Sequence, residues 1–265
     1  MNEIEMKEKL ESLLKDFDYT PKYQIDVMGK KIDVPVKYSD ASAFMVFFSV
    51  SLEKVKNLLK SNRLVPVIIT PNKCLMGITF FDYRACPVGP YHEFTFSIPV
   101  LVDSGFHIPF LPIIFDSFFK NFGYNVILMG TDSDISRAHI EKIFSYPMVN
   151  KNLYINLEER DNLLSANIKD AGVEVISMTH DSPRSYKLEK KRYNTYYKKD
   201  GRIYNVKLQT FSFCTKIFGK TQNSCVHIGS HQISKMLKEL GVNPEPLASV
   251  YYKRAIEVAE GPVDV

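Results

Sequence analysis

Residues Tyr91 to Val102, YHEFTFSIPVLV, alternate with a period of two. His92, Phe94, Phe96, Ile98, Val100 and Val102 fall on one face; Tyr91, Glu93, Thr95, Ser97, Pro99 and Leu101 fall on the other. That period specifies a β-strand with two unlike faces. The even face is almost wholly apolar and has to pack on a core. The odd face opens with a phenol, a carboxylate and two hydroxyls. It is either the wetted side of an antiparallel sheet or, if the strand belongs to a closed barrel, the wall of a cavity.

The rest of the chain supplies a sheet for this strand to join. Strand patterns run over Gln24–Tyr38 as a hairpin around Gly29, then over Phe44–Val50, Arg63–Thr70, Cys74–Tyr83 and Tyr124–Gly130. From Leu153 the pattern is nearly all β, to Phe218, with a last extended stretch over Leu247–Val258. Ala171–Gly172 and Asp200–Gly201 mark hairpin turns. Helical spacing is confined to short pieces. An N-terminal helix within residues 1–20 carries the stripe Ile4, Met6, Leu10, Leu13, Leu14 and Phe17, to cover the sheet or a neighbouring subunit. Ser51 caps a helix through Leu59. Asp132 or Asp134 caps another to about Phe144, which Tyr146–Pro147 stops. Ser230 caps a third, closed by Gly241. Pro109 and Pro112 exclude a long strand in between, where Phe115, Phe118 and Phe119 suggest a short buried helix. No linker or repeat divides the chain. The expectation is one α+β domain over residues 1–265, with a large curved antiparallel sheet and flanking helices.

Charge and cysteine usage narrow the function classes. A net charge of +4 tolerates an acidic ligand without calling for nucleic acid. The lysine-rich stretch Lys187–Lys199 reads as a solvated hairpin. Cys74, Cys86, Cys214 and Cys225 form no CxxC pair, so neither a disulfide framework nor a zinc site is legible. Free thiols, a charged N-terminus and no apolar run of the ~20 residues needed to span a bilayer together suggest a cytoplasmic protein without a membrane segment. His227 and His231 are separated by Gly229–Ser230, which argues against a shared metal; His107, His139 and His180 stand alone and read as structural. No glycine-rich phosphate loop or GxSxG elbow is present.

Two segments carry a family likeness. GPYHEFTFSIPV, with FDYR before it, and AHIEKIFSYPMVNKNL resemble the cavity strand and the helix–aromatic-Pro segment of acetoacetate decarboxylases and their relatives. The likeness runs from about Asp26 to Val258. It implies a cone-like antiparallel β-barrel with flanking helices, often assembled into homo-oligomers, and a cavity for a small oxo acid. In that family a lysine amine forms a Schiff base with a β-keto acid, and it needs no cofactor. Acetoacetate decarboxylase is itself the standard example of a lysine whose amine is kept neutral by its surroundings. Glu93 matches the cavity glutamate, and Arg84 fits an arginine of the related branch.

The sequence departs from the family at the nucleophile. The residue after Tyr146–Pro147 is Met148, a thioether that cannot form an imine. The expectation is therefore a barrel that binds a small oxo acid or a related organic ligand, without Schiff-base chemistry. Glu93 does any acid–base work, assisted by Tyr91, His92 or Arg84, and Tyr91, Tyr146 and Met148 contact the ligand. Two alternatives stay open at this point. One is a Schiff-base decarboxylase using Lys142 or Lys151, which flank the matched position. The other is a non-catalytic ligand-binding or structural subunit.

Overall fold

A computed structural model describes residues 3–14, 19–105, 109–114, 118–149 and 153–265. Seven strands close into a barrel. Around its wall they run Tyr91–Val102, Phe122–Thr131, Lys187–Lys199, Arg202–Phe218, Ala248–Ala259, Val36–Ser51 and Lys73–Ala85, the last pairing back to the first. The closure removes the free edges that an open sheet would expose. Neighbours are antiparallel with one exception: Lys187–Lys199 runs parallel to Phe122–Thr131 over the short register Thr195↔Tyr124 and Tyr196↔Asn125. The barrel is thus antiparallel as expected, apart from this one parallel pairing. Gly123 permits the approach, since a Cβ there would stand 2.2 Å from the Asn194 carbonyl oxygen.

The turn chemistry follows the sequence. Asp200 and Gly201, both at positive φ (50° and 80°), join the two longest-paired strands. Ala171 and Gly172, at 47° and 82°, join Leu163–Asp170 to Val173–Asp181. Both φ values must be positive in the turn type that matches strand twist.

The main core lies outside the barrel. A second, four-stranded sheet has the order Cys225–Ile228, Val173–Asp181, Leu163–Asp170, Tyr154–Arg160. The even face of Tyr91–Val102 joins it in one buried cluster, in which Phe94, Phe96 and Ile98 meet Leu164, Ile168 and Ile176. Leu237 and Leu240, from the helix Gln232–Leu240, close one side of this layer. The N-terminal helix Glu3–Leu14 covers the barrel elsewhere: Met6 and Leu10 are buried on Phe211, Phe213 and Ile256, while Ile4 stays exposed. Phe17 and Phe115 lie outside the described residues.

Three helix caps were expected from short polar residues, and two differ. Ser51 caps Leu52–Leu59, its hydroxyl accepting from the Lys54 amide. Ser133, between the two expected aspartates, caps Asp134–Ile143. Asp132 is instead taken by His92, whose amide and Nδ1 bond its carboxylate at 3.0 and 2.7 Å. His231 rather than Ser230 caps Gln232–Leu240, with Nδ1 accepting from the Ile233 amide.

Candidate functional site

With the apolar face of Tyr91–Val102 turned outward, its polar odd face turns into the barrel. Glu93, Thr95 and Ser97 line a cavity of about 120 Å³. The other walls come from every barrel strand. Ala41, Ala43 and Met45 enter from Val36–Ser51; Thr79, Phe81 and Tyr83 from Lys73–Ala85; Thr210 from Arg202–Phe218; Tyr252, Ala255, Glu257 and Ala259 from Ala248–Ala259. Ile140 and Phe144, at the end of the helix Asp134–Ile143, and then Tyr146 cover it.

Two carboxyls therefore share one interior. Glu93 is 5% exposed and accepts from the Tyr91 phenol at 3.4 Å. Burial pushes its carboxyl up to about 8, and the charge of Glu257 adds to the rise. Glu257 keeps part of its surface open to the cavity and accepts from Thr210 Oγ1 at 3.3 Å. Enclosure by protein pushes it up to about 7. Both shifts have the same origin: a carboxylate loses water there and finds no cation. Among the described lining residues there is no lysine or arginine.

Phenols surround the pair. Tyr38, Tyr83 and Tyr91 follow one another with ring centroids 4.7 and 4.9 Å apart, and Phe81 stacks on Tyr83 at 5.4 Å. Tyr38 bonds His139 Nε2 at 3.0 Å. Burial lowers His139 to about 4, so it is neutral, as a structural histidine should be. The hydroxyls of Tyr193 and Tyr252 are 2.5 Å apart, as are those of Tyr146 and Thr195. The Thr79 hydroxyl differs from these last two pairs. Its Oγ1 is buried on the cavity wall without a hydrogen-bond partner.

The structure distributes the expected site residues unevenly. Glu93 and Tyr146 line the cavity, and Tyr91 bonds Glu93 from its edge. Arg84 does not reach it. An even position on a strand whose odd residues face inward, it bonds Asp40, Asp82 and Ser42 on the other face. His92 is likewise turned away, between Asp132 and Asp82. Met148 is half-buried and packs on the neighbouring core cluster, but it is not among the lining residues. The reason is a local bridge: Met129 takes Pro147 and Val149 as backbone partners at 2.8 Å each and itself occupies the wall. Lys142 sits exposed on its helix and donates to the Asp26 carbonyl oxygen, away from the cavity. Lys151 lies outside the described residues. His227 pairs with Glu174 and His231 with Asp170, and no group of three or more metal-ligating side chains occurs among the described residues.

Known structures match this architecture across most of its length. An acetoacetate decarboxylase is 15% identical with a TM-score of 0.62, covering 87% of this chain and 89% of its own. The chain has the acetoacetate decarboxylase fold. A second such enzyme, from Legionella pneumophila, is 13% identical with a TM-score of 0.60 and coverage of 96% and 94%. The enduracididine biosynthesis enzyme MppR, complexed with pyruvate, is 10% identical with a TM-score of 0.53 and coverage of 88% and 91%. No family model and no curated protein matches the sequence. No helix among the described residues is long and apolar enough to cross a membrane.

Glu257 was not singled out from the sequence, although a signal was present. In Ala255–Ala259, AIEVA, a carboxylate stands on the face of two alanines, opposite Ile256 and Val258. Small residues around one acid mark a face that is neither core nor open surface.

Proposed function

We propose that this protein binds a small organic molecule inside the acetoacetate-decarboxylase-type barrel and acts on it, where it acts, by proton transfer rather than through an imine. One observation carries this: the cavity holds two carboxyls, Glu93 and Glu257, and no lysine among its described lining residues. Carboxyls held near 8 and 7 can give or take a proton near neutral pH, the condition for general acid–base work. Such a pair supports enolisation or hydration of a bound ligand. Tyr91 holds Glu93 from the edge of the cavity, and Tyr146 contacts the ligand from the wall. An imine needs a neutral amine within contact of the substrate, and Lys142 is exposed and turned away.

The oxo acid narrows in the same light. The pyruvate held by the MppR neighbour is a carboxylate; in this cavity a carboxylate would meet two acids and no described cation. Homo-oligomer formation, which the family likeness suggests, is checked by sedimentation velocity.

The test is a ligand screen by thermal shift, followed by trapping. A ligand of the native state raises the melting temperature, and that rise is expected to shrink in Glu93→Gln and Glu257→Gln. Incubation with acetoacetate and borohydride is expected to leave the intact mass unchanged. A stable mass increase at Lys142 or Lys151 would restore the Schiff-base decarboxylase. Binding without turnover of any screened ligand would make the protein a carrier.

A further inference from the structure

We propose that the ligand of this cavity is a small organic cation of about six non-hydrogen atoms, held between Glu93 and Glu257 with Thr79 Oγ1 accepting from it; a cavity near the ~150 Å³ that takes benzene sets that size. The proposal rests on the barrel interior being the binding site. It goes further by fixing the charge of the ligand.

Three independent features point the same way. The two carboxyls are the acidic side chains of the described wall, and no lysine or arginine lines it with them. Thr79 Oγ1 is a buried oxygen without a partner, and such atoms are costly unless something bonds them. An N–H of a cation meets that need. The remaining wall is rich in aromatic rings, among them Tyr83, Tyr146 and Tyr252, whose faces attract cations. An anion finds no cation among the described lining residues, and once either carboxyl ionises an unpaired anion buried beside it is strongly disfavoured. The raised carboxyls fit the same picture: they hold protons until a positive charge enters and displaces them.

A basic cleft adjoins the cavity across Tyr124, Tyr193 and Leu208. Lys22, Lys120, Lys190, Arg192 and Lys207 line it exposed to solvent, and Lys191 lines it half-buried, its Nζ 5.1 Å from the ring centroid of Tyr193. Exposed charges are screened over a Debye length of about 8 Å at physiological salt, whereas the two carboxyls meet the ligand directly.

The experiment is isothermal titration calorimetry of the whole chain with three probes of similar size and different charge: piperidine, which is protonated throughout, cyclohexanone and pyruvate. Piperidine is expected to bind at least tenfold more tightly than either of the others. Its affinity should rise by up to about tenfold per pH unit between pH 6 and 8, because binding expels a proton from the pair. The heat should then depend on the ionisation enthalpy of the buffer. Glu93→Gln and Glu257→Gln should each weaken piperidine at least tenfold and reduce the proton release. Thr79→Val should weaken it with the proton release intact. Tighter binding of cyclohexanone or pyruvate would overturn this inference and leave the cavity as the ligand site. Piperidine binding that ignores both glutamine variants, or that releases no proton, would also overturn it. Binding of none of the three would sink both.

Discussion

Glu93→Gln is expected to stabilise the ligand-free protein, and to do so more as the pH rises. In the unfolded chain the Glu93 carboxyl titrates near 4.5; in the barrel, burial moves it to about 8. Below pH 4.5 both states hold the proton, and this group leaves stability unaffected. Between those values the folded state keeps a proton that the unfolded state has lost. Stability therefore falls as pH rises through the window, by about 1.4 kcal/mol per pH unit for one proton, on the order of 5 kcal/mol in all. Glutamine keeps the shape and removes the titration. For a chain of 265 residues, 1 kcal/mol is about 2 °C in melting temperature. The variant should melt within a degree or two of the parent at pH 4.5 and roughly 10 °C above it at pH 8.5. Glu257 titrates in both proteins, so to first order it cancels in the difference. The assay is calorimetric or circular-dichroism melting of both proteins at four pH values. A melting difference that stays constant with pH, or that shrinks as pH rises, would refute the burial of an unpaired carboxyl at this position.

Three other substitutions separate structure from site. Met148→Gln should cost about 1–2 kcal/mol in chemical denaturation, since it puts an amide into the cluster that the thioether packs on, and should leave ligand affinity within about twofold. Arg84→Ala should cost about 1 kcal/mol without altering binding in the cavity, because the buried Asp40 keeps its two bonds from Arg254 at 3.0 and 2.5 Å. Gly123→Ala should cost about 3 kcal/mol or prevent folding, as the added methyl meets the Asn194 carbonyl of the parallel neighbour, a backbone atom that cannot step aside; unchanged urea unfolding would contradict that pairing.

How much of this could be read in advance depends on whether a local pattern survives folding. Tyr91–Phe96 keeps strict alternation, and its register shifts against Phe122–Thr131 only between Phe96 and Ser97. Glu93 was therefore legible as the inward member of that strand. Arg84 was attached to the site by motif spacing, but parity in its own strand already set it apart from Thr79, Phe81 and Tyr83. Glu257 was hidden for the opposite reason. The register of its strand against Val36–Ser51 shifts between Tyr252 and Ala255 and again between Ala255 and Glu257, so Tyr252 and Ala255, three apart, both line the cavity. Alternation carried across those irregularities puts residues on the wrong faces. Met148 follows the end of a helix, where no period exists to extend, and its direction is fixed by a bridge to Met129 that only the fold creates.

The polarity of the barrel explains why the interior is a site rather than a core. Small barrels are ordinarily packed solid by inward side chains. Here the large apolar residues of three consecutive strands, among them Phe44, Phe80 and Phe94, point outward into the layer shared with the four-stranded sheet. The inward positions include Ala41, Ala43, Ala255 and Ala259. Their methyl groups leave a space that larger side chains would fill. The stability of the chain is thus built largely on the outer surface of the barrel, and the inside is relieved of that task. Two carboxyls and an unpartnered hydroxyl can be kept there at a cost the outer core offsets. An interior of that kind costs the empty protein stability, and the group that regains it is one that brings the missing charge and hydrogen bonds.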